Sequence, residues 1–509
     1  MFLRCLPAIA ALFHAGVLAS AASTTTPNVL FIAIDDLNTR LGCYGFDHIR
    51  SPHIDKLARE GVRFDRAYCQ YPSCGPSRTS VLTGLRPNTT GMTHNRMFFR
   101  DLVPDVVTLP QLFMKNGYHV ARVGKIYHQA NPTHIGTSGP DDPASWHEVV
   151  NPRGRDKDEE HLLTVYTPQL PLPDQMCYLK ADGTDSEQTD GKVVDETIRL
   201  LDKHRDKPFF IAAGLYRPHI PYIAPKKYFE LYDLTKTPLP ELPPNYRDTV
   251  PSAALASTSQ WPNFGTTELQ ARECILAYDA CVSFVDAQVG RLLAAVDRLG
   301  LRDNTIVVLW GDHGYHLGEH GLWRKNSLFE ESARAPLILR VPGMEPDSHN
   351  CERIVEFVDI YPTLAELAGL KPPQTLDGVS LVKLLKKPQA RWDRPAFIQT
   401  TFREAPGFSV RTDRWRYVEW GEDRGDKGVE LKECIAIGHG DKQHGARRNY
   451  KSNKCPTKRL QGDALQDPRT KLSSSDAPRC HEDGWQPGEY ATDTIGDSSN
   501  NGRRSNREK

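Results

Sequence analysis

The chain has 509 residues, of which 39% are hydrophobic and 25% are charged, with 64 basic residues against 64 acidic ones. It is too long for one ordinary domain and predicts two or three domains, or one large α/β domain with a smaller companion. The balanced charge does not support a nucleic-acid-binding surface or electrostatic attachment to a membrane, although it leaves room for a local basic pocket.

Residues 1–22 have the pattern of a signal peptide. Arg4 is followed by a short apolar run and then by Ala19-Ser20-Ala21, a small-x-small sequence that predicts cleavage near Ala21 or Ala22. An uncleaved anchor is the alternative, but the run is short for a bilayer and no later segment reaches 18 apolar residues. We therefore expect an exported chain, periplasmic, secreted or lysosomal according to its host, with no membrane span in the mature form.

Five apolar runs that end in polar residues predict buried strands, and four amphipathic stretches predict helices. The predicted strands lie at 28–35, 119–125, 207–216, 304–314 and 335–343, and the helices at 51–61, 108–117, 266–299 and 359–370. Strands that alternate with helices indicate an α/β domain with a large, mainly parallel sheet between helices. Ligands bind at the carboxyl ends of the strands of such sheets.

The pattern changes near residue 373. Short apolar segments within 373–431 predict antiparallel strands and a smaller C-terminal α+β domain, after a catalytic domain at 27–372. Residues 432–509 are rich in Lys, Arg, Asp, Asn and Gly and almost lack apolar periodicity, which predicts a largely disordered tail. The chain has eleven cysteines without zinc-like spacing, so a metal–thiolate cluster is not expected; export permits disulfides, whose pairing the sequence does not reveal.

Acidic residues follow two of the predicted strands. Asp35 and Asp36 end the first strand, and Asp312 with His313 ends the strand at 304–314. An isolated pair of acids is usually a solvated loop, but three carboxylates at one sheet edge would form an oxygen-rich site for Ca²⁺ or Mg²⁺. Together, these residues favour the metal site.

Four further residues could hold an anion or move a proton. Lys125, His128, His219 and Lys325 each lie in a polar segment, and each alone is adequately explained as a solvated lysine or a hydrogen-bonded histidine. As a set they resemble a cradle for a tetrahedral oxyanion with proton-transfer groups beside it.

Cys74 lies at the beginning of a predicted helix, in the segment CGPSRTSVLTG. Pro76 suits the first turn, where free N–H groups favour negative charge, and Arg78 lies one turn further on the same face. The cysteine could fill the core, form a disulfide, bind a metal or act as a nucleophile. A thiolate matches neither the neighbouring carboxylates nor a hard cation, so an oxygen nucleophile suits the site better.

The motif C-x-P-S-R-x-x-x-L-T-G resembles the signature of the type I sulfatases, in the alkaline-phosphatase superfamily. The resemblance covers about residues 27–430 and implies an alkaline-phosphatase-like fold. It also implies that a formylglycine-generating or sulfatase-maturing enzyme converts Cys74 to formylglycine, whose hydrate supplies the oxygen nucleophile. The ordered positions that match the family are Asp35, Asp36, Cys74, Arg78, Lys125, His128, His219, Asp312, His313 and Lys325.

The segments GK-x-x-H, RPHIP, DHG and LGEHGLW, with a lysine two residues after that tryptophan, are similar to the iduronate-2-sulfatase branch of the family. The implied substrate is a sulfated carbohydrate such as an iduronate-2-sulfate unit. The resemblance implies three sets of roles: one Ca²⁺ held by Asp35, Asp36, Asp312, His313 and modified Cys74; sulfate held by Lys125 and Lys325; and Arg78 and His128 at the formylglycine hydrate, with His219 at the leaving oxygen.

The C-terminus departs from the family. After Leu431 the chain lacks the tyrosine-rich segment and closing helix of its relatives, which a reading-frame change in the source sequence or a divergent tail would explain. Two other functions remain open: hydrolysis of phosphonate or phosphate esters with the same nucleophile, and carbohydrate binding without catalysis.

Overall fold

A computed structural model of the protein describes residues 26–250, 252–402, 405–420 and 433–436. The predicted signal peptide and most of the predicted tail lie outside these ranges. The strands are β1 Asn28–Ile34, β2 Val62–Tyr68, β3 His119–Gly124, β4 Glu148–Val150, β5 Thr164–Val165, β6 Cys177–Ala181, β7 Phe209–Leu215, β8 Tyr222–Pro225, β9 Thr305–Gly311, β10 His316–Leu317, β11 Trp323–Arg324, β12 Leu337–Arg340, β13 Asn350–Glu356, β14 Ala396–Phe402, β15 Ala405–Arg411, β16 Trp415–Trp420 and β17 Glu433–Ala436.

The α-helices include several single turns. They are α1 Pro52–Glu60, α2 Cys74–Thr83, α3 Pro87–Thr90, α4 Phe99–Leu102, α5 Leu109–Lys115, α6 Arg155–Asp158, α7 Thr189–Lys203, α8 Lys226–Phe229, α9 Tyr246–Thr249, α10 Glu268–Arg298, α11 Glu330–Ala333, α12 Ile360–Leu367 and α13 Val382–Lys386. Both α5 and α10 begin at a capping box, in which a threonine hydroxyl accepts from the N3 amide and the N3 glutamine side chain accepts from the threonine N–H. The helices predicted at 51–61, 108–117, 266–299 and 359–370 are all present.

Eight strands form one mixed sheet in the order β13-β2-β12-β9-β1-β7-β3-β4. The neighbours from β9 to β4 are parallel, as are β13 and β2, whereas β12 is antiparallel to both of its neighbours. The strands β1, β7 and β9 are buried along their whole length. The prediction of a large, mainly parallel sheet is therefore confirmed, with β12 as its antiparallel exception.

The two faces of the sheet carry separate hydrophobic clusters. Along β1, Leu30 and Ile32 belong to one cluster, which includes residues of α1, α7 and α10, while Val29 and Phe31 belong to the other, with residues of α2, α5 and α12. This alternation is the period-two rule for strands, applied to a strand covered on both sides. Helices therefore cover both faces, as the fold class requires.

The last four strands form an antiparallel sheet in the order β14-β15-β16-β17, which confirms the smaller antiparallel region predicted after residue 373. Its last strand begins the segment predicted as a tail; the rest of that segment is not described. Among the described residues the cysteines with described side chains are free thiols, and no helix there has the length and apolar character needed to cross a bilayer.

Candidate active site

The carboxyl ends of four neighbouring strands, β9, β1, β7 and β3, meet at one edge of the large sheet. The predicted site residues come directly after these strands: Asp312 and His313 after β9, Asp35 and Asp36 after β1, His219 after β7, and Lys125 and His128 after β3. Cys74 and Arg78 come from α2, and Lys325 follows β11. The structure thus brings the predicted residues together where ligands bind to such sheets.

The approach of β3 to β7 depends on two glycines at their ends. Gly124 pairs with Gly214, and Lys125 N–H donates to the Gly214 carbonyl over 3.0 Å. A Cβ on Gly214 would overlap the backbone of Lys125. Small residues at this pair therefore set the position of the Lys125 side chain.

Asp35 and Asp36 face the same site because the chain turns at the second of them. Asp36 has φ +61, in the left-handed region that non-glycine residues rarely adopt. Its N–H donates to Asp312 Oδ1 over 3.0 Å, and the Tyr278 hydroxyl donates to its carbonyl oxygen over 2.8 Å. These contacts hold the strained backbone, so that successive carboxylates of an extended strand can converge.

Cys74 is the first residue of α2, as predicted, and is only 1% exposed. Its Sγ lies 3.4 Å from Asp35 Oδ1, 3.9 Å from Asp36 Oδ1 and 3.3 Å from His313 Nε2. Asn95 supports this helix end, since its Oδ1 accepts from Gly75 N–H over 2.8 Å. Burial, reinforced by the charge of Asp35, raises the pKa of the thiol well above its ordinary value.

Arg78 is fully buried and donates on three sides. Its Nε bonds Asp312 Oδ2 at 2.9 Å, and Nη2 lies 3.3 Å from Asp35 Oδ1. Its Nη1 donates to the carbonyl oxygens of Lys125 and Ile126, at 2.7 and 3.1 Å. The guanidinium therefore ties α2 to the ends of the strands β1, β9 and β3, a role that needs its planar fork of donors.

The two lysines neutralise one carboxylate each. Lys125 Nζ lies 2.6 Å from Asp35 Oδ2, and Lys325 Nζ lies 2.6 and 2.8 Å from the two oxygens of Asp36. Burial opposes ionisation of Asp35, but the positive charges of Lys125 and Arg78 hold the pKa of Asp35 well below its ordinary value. Burial lowers the pKa of Lys325, but Asp36 outweighs it and the net shift is upward.

The imidazoles surround this charged group. His219 Nε2 is 3.8 Å from Asp36 Oδ2, and its Nδ1 lies 2.5 Å from the Ile220 carbonyl oxygen. His128 is partly buried, and its Nδ1 has no hydrogen-bond partner within the described part of the chain. Burial is the main cause that lowers the pKa of both rings well below the ordinary value. The nearby charge of Lys325 adds to this effect at His219, and that of Lys125 adds to it at His128.

The donor atoms fit a divalent cation. Two overlapping groups have all their ligand atoms within 4.8 Å of one another: Asp35, Asp36, Cys74 and His219, and Asp36, Cys74, Asp312 and His313. Three carboxylates in one buried place suit a hard cation such as Ca²⁺, and the sulfur of an unmodified cysteine is the mismatched member of the set.

A pocket of about 160 Å³ opens onto Cys74, His219 and Lys325. Its wall includes residues that the sequence did not identify: Asn95, Asn131, Asp174, Tyr315 and Arg324. Arg324 forms an ion pair with Asp174 and lies 4.8 Å from the centre of the Phe264 ring. The sequence marks Arg324 only by its position next to Lys325. Its partners Asp174 and Phe264 lie 150 and 60 residues away along the chain, so no local pattern indicates them.

The sheet edge, the helix N-terminus, the clustered carboxylates and the lysines form a site suited to a tetrahedral oxyanion, as in hydrolases that act on oxyanion esters. The comparisons with known proteins narrow this class. A family model described as Sulfatase matches residues 27–370, and one described as N-sulphoglucosamine sulphohydrolase, C-terminal, matches residues 318–430. The chain belongs to the sulfatase family, and it is a sulfuric ester hydrolase.

Among characterised relatives, a sulfatase of Formosa agariphila is 34% identical over 416 residues, which are 77% of this chain and 79% of that protein. The iduronate 2-sulfatase of Homo sapiens is 33% identical over 483 residues, covering 78% of this chain and 86% of that protein. The expected resemblance to sulfatases, including iduronate 2-sulfatase, is therefore confirmed.

Solved structures confirm the fold. The phosphonate monoester hydrolase SpPMH from Silicibacter pomeroyi has a TM-score of 0.68 at 24% identity, covering 86% of this chain and 94% of its own. The structure of BT4656 in complex with its substrate D-glucosamine-2-N,6-O-disulfate has a TM-score of 0.66 at 21% identity, covering 88% of this chain and 100% of its own. At these identities the likeness concerns the fold alone.

Proposed function

We propose that the chain hydrolyses the sulfate ester of a sulfated sugar, such as an iduronate-2-sulfate unit of a glycosaminoglycan or a related polysaccharide. It would use a formylglycine made from Cys74 and one bound Ca²⁺. The observation that carries the proposal is the position of Cys74, which heads α2 and lies 3.3–3.9 Å from Asp35, Asp36 and His313. Residue 74 is thus the one that an anion on the pocket floor would meet.

An oxygen at position 74 fits these surroundings better than sulfur. A thiolate there would face carboxylates, and a hard cation is a poor partner for sulfur. The hydrated aldehyde would supply an oxygen nucleophile with a second hydroxyl, and Ca²⁺ would supply positive charge that lowers the pKa of that nucleophile. The residues that would hold the cation are Asp35, Asp36, Asp312, His313 and modified Cys74.

Lys125 and Lys325 could serve both as partners of the carboxylates and as ligands of the sulfate group. Lys125 forms an ion pair with Asp35, and Lys325 forms one with Asp36. A divalent cation on the same carboxylates would leave both ammonium groups to hold sulfate oxygens and to stabilise the charge that develops on them. Arg78, with donors engaged on three sides, would keep residue 74 in position.

The histidines are suited to proton transfer. His219 borders the pocket and is assigned to protonate the leaving alcohol; its Nδ1 lies at the Ile220 carbonyl oxygen, which leaves Nε2 directed toward the carboxylates. His128 also lines the pocket and is assigned to take a proton from residue 74 when sulfate is released. Because burial lowers the pKa of both rings, His128 is ready to accept that proton, whereas His219 must first gain a proton from the reacting groups or from solvent before it can act as an acid.

Two features favour an anionic sugar. The pocket wall carries Arg324 and Lys325, and relatives that cover most of this chain include iduronate 2-sulfatase. Arg324, ion-paired with Asp174, can offer a planar fork to a uronate carboxylate if that pair exchanges its partner. A sulfated uronate would therefore gain a second anionic contact beyond its sulfate group.

Modification of Cys74 requires a partner enzyme. Because Cys74 is 1% exposed in the folded chain, the formylglycine-generating or sulfatase-maturing enzyme would act before folding is complete. This fits export through the predicted signal peptide, to the periplasm, the exterior or a lysosome according to the host.

The test combines mass analysis with kinetics. In protein purified from a host with a maturing enzyme, the Cys74 peptide should be lighter by about 18 Da than the thiol form. That protein should release sulfate from sulfated disaccharides, and C74A, with unchanged folding, should release none. Converted protein that is silent on every sulfate ester would refute catalysis, and a persistent thiol would favour a carbohydrate-binding role without turnover.

Hydrolysis of phosphonate or phosphate esters is the second candidate, because phosphonate monoester hydrolases share the fold. The residues around Cys74 suit either tetrahedral anion. Paired sulfate and phosphate esters of one alcohol separate the two functions: our proposal requires the larger kcat/KM on the sulfate ester, and a larger value on the phosphate ester would overturn it.

A further inference from the structure

A second group of side chains that could hold a metal ion lies at the opposite end of the large sheet from the active site. His119 is the first residue of β3, Glu148 is the first residue of β4, and His204 follows the last residue of α7. Lys125 lies six residues further along the chain from His119, about 20 Å away at the rise of an extended strand. The group is therefore separate from the catalytic residues.

The donor atoms of this group face one another. The rings of His119 and His204 are stacked, with centroids 3.5 Å apart and planes 13° from parallel. His204 Nε2 lies 3.6 Å and His119 Nε2 lies 4.0 Å from Glu148 Oε2, and the three ligand atoms are within 4.8 Å of one another. Both Nε2 atoms are buried and have no hydrogen-bond partner within hydrogen-bonding geometry among the described residues.

We propose that His119, Glu148 and His204 bind a divalent transition-metal ion, with Zn²⁺ as the representative. Two imidazole nitrogens and one carboxylate oxygen are the donors that Zn²⁺ accepts at about 2.0–2.2 Å, which places tetrahedral ligands roughly 3.4 Å apart. The two Nε2–Oε2 separations, 3.6 and 4.0 Å, would have to shorten by about 0.2–0.6 Å, and the stacked rings would have to tilt so that both in-plane lone pairs point at one ion. A cation would also satisfy two buried nitrogens that otherwise lack a partner.

The protonation states agree with this geometry. Burial, helped by His204 and His147, lowers the pKa of His119 to about 4, and burial also lowers that of His204, so both rings are neutral at pH 7. His147 also stacks on His119, with ring centroids 5.5 Å apart, but its Nδ1 is engaged because it accepts from Val120 N–H over 3.1 Å. The protein therefore supplies three ligands and leaves a fourth position for water.

Two basic side chains also bind Glu148 and would compete with a metal ion for its carboxylate. Lys203 Nζ lies 2.8 Å from Oε2, and Arg199 Nη2 lies 3.1 Å from Oε1. Both side chains are about half exposed, at 51% and 47%, so either can turn toward solvent at small cost when a metal takes the carboxylate. The competing interpretation is that Glu148 is only the centre of a surface ion-pair network.

The experiment uses the full chain, stripped of metal with a chelator and then saturated with Ca²⁺ to fill the catalytic site. It is titrated with Co²⁺, whose visible absorption reports tetrahedral nitrogen and oxygen ligands, and then with Zn²⁺ by calorimetry. We expect H204A and E148Q each to bind one equivalent less of the metal ion, or to bind that equivalent with a Kd more than about 100-fold weaker. Loss of a residue that only supports a ligand would weaken the Kd by about 10–100-fold, so a larger change indicates loss of a ligand.

The matched control is H161A, which removes an exposed histidine outside the group and should bind like the wild type. K203A should bind more tightly, because it removes a competing cation. Thermal unfolding of each variant verifies its fold, and sulfate release should persist in E148Q, which separates this proposal from the catalytic one. Equal stoichiometry and affinity in wild type, H204A and E148Q would overturn the proposal and leave the ion-pair network.

Discussion

Replacement of Arg78 by lysine tests whether the guanidinium holds the active site together. R78K keeps the positive charge but replaces donors on three sides with one ammonium group. The four contacts run to Asp312, Asp35 and the carbonyl oxygens of Lys125 and Ile126. One ammonium cannot reach all of them, so at least two buried acceptors lose their donor, at about 1–3 kcal/mol each. The expected loss of unfolding free energy is therefore about 2–6 kcal/mol.

The assay is urea unfolding of wild type and R78K, once with Ca²⁺ and once with a chelator, together with kcat and KM on a sulfate ester. Because Arg78 positions residue 74 and does not line the pocket, kcat should fall more than KM rises. The control is R391K, which changes a side chain that is 88% exposed and should shift stability by less than about 0.5 kcal/mol. If the unfolding free energy of R78K lies within about 1 kcal/mol of the wild-type value, the proposed role of the Arg78 guanidinium is wrong.

Three other changes probe separate parts of the chain. G214A should lower both stability and kcat, because a Cβ would overlap the backbone of Lys125; the urea midpoint and sulfate release report this, and an unchanged kcat would contradict it. D286N should flatten the pH dependence of stability, because burial raises the pKa of Asp286 to about 7. Between pH 4 and 7 the folded state then holds more protons than the unfolded state. The free energy of unfolding therefore falls as pH rises, by at most about 1.4 kcal/mol per pH unit. R324A should raise KM for sulfated uronates more than for neutral sulfated sugars, and equal changes would remove Arg324 from recognition.

The placement of most site residues could be predicted because it follows from strand order alone. Carboxyl ends of parallel strands share an edge, so Asp35 and Asp312 had to be close once β1 and β9 were neighbours. The beginning of α2 at Cys74 also followed from local rules, with Pro76 in its first turn. What the sequence left open was how Asp36 joins Asp35; the answer is a left-handed turn at φ +61, a conformation that aspartate adopts more often than most residues but that apolar periodicity does not indicate.

The pocket wall could not be predicted, because irregular segments supply it. Asp174 and Arg324 form their ion pair across 150 residues of chain, and neither lies in a periodic segment. Asn95 contacts the beginning of α2 from a loop: its Oδ1 accepts from the Ser73 hydroxyl and from Gly75 N–H. Such contacts depend on loop conformation, which apolar periodicity does not encode, so the pocket wall is less predictable than the position of Cys74.

The balance of charge at the site explains why the same residues can remain buried before and during catalysis. Three carboxylates face Arg78, Lys125 and Lys325, so these six side chains sum to zero formal charge, and each carboxylate has a cation within hydrogen-bonding distance. A divalent cation alone would leave an excess of positive charge, which burial makes costly. A sulfate ester restores part of the balance, so the cation and the anionic substrate should each strengthen binding of the other.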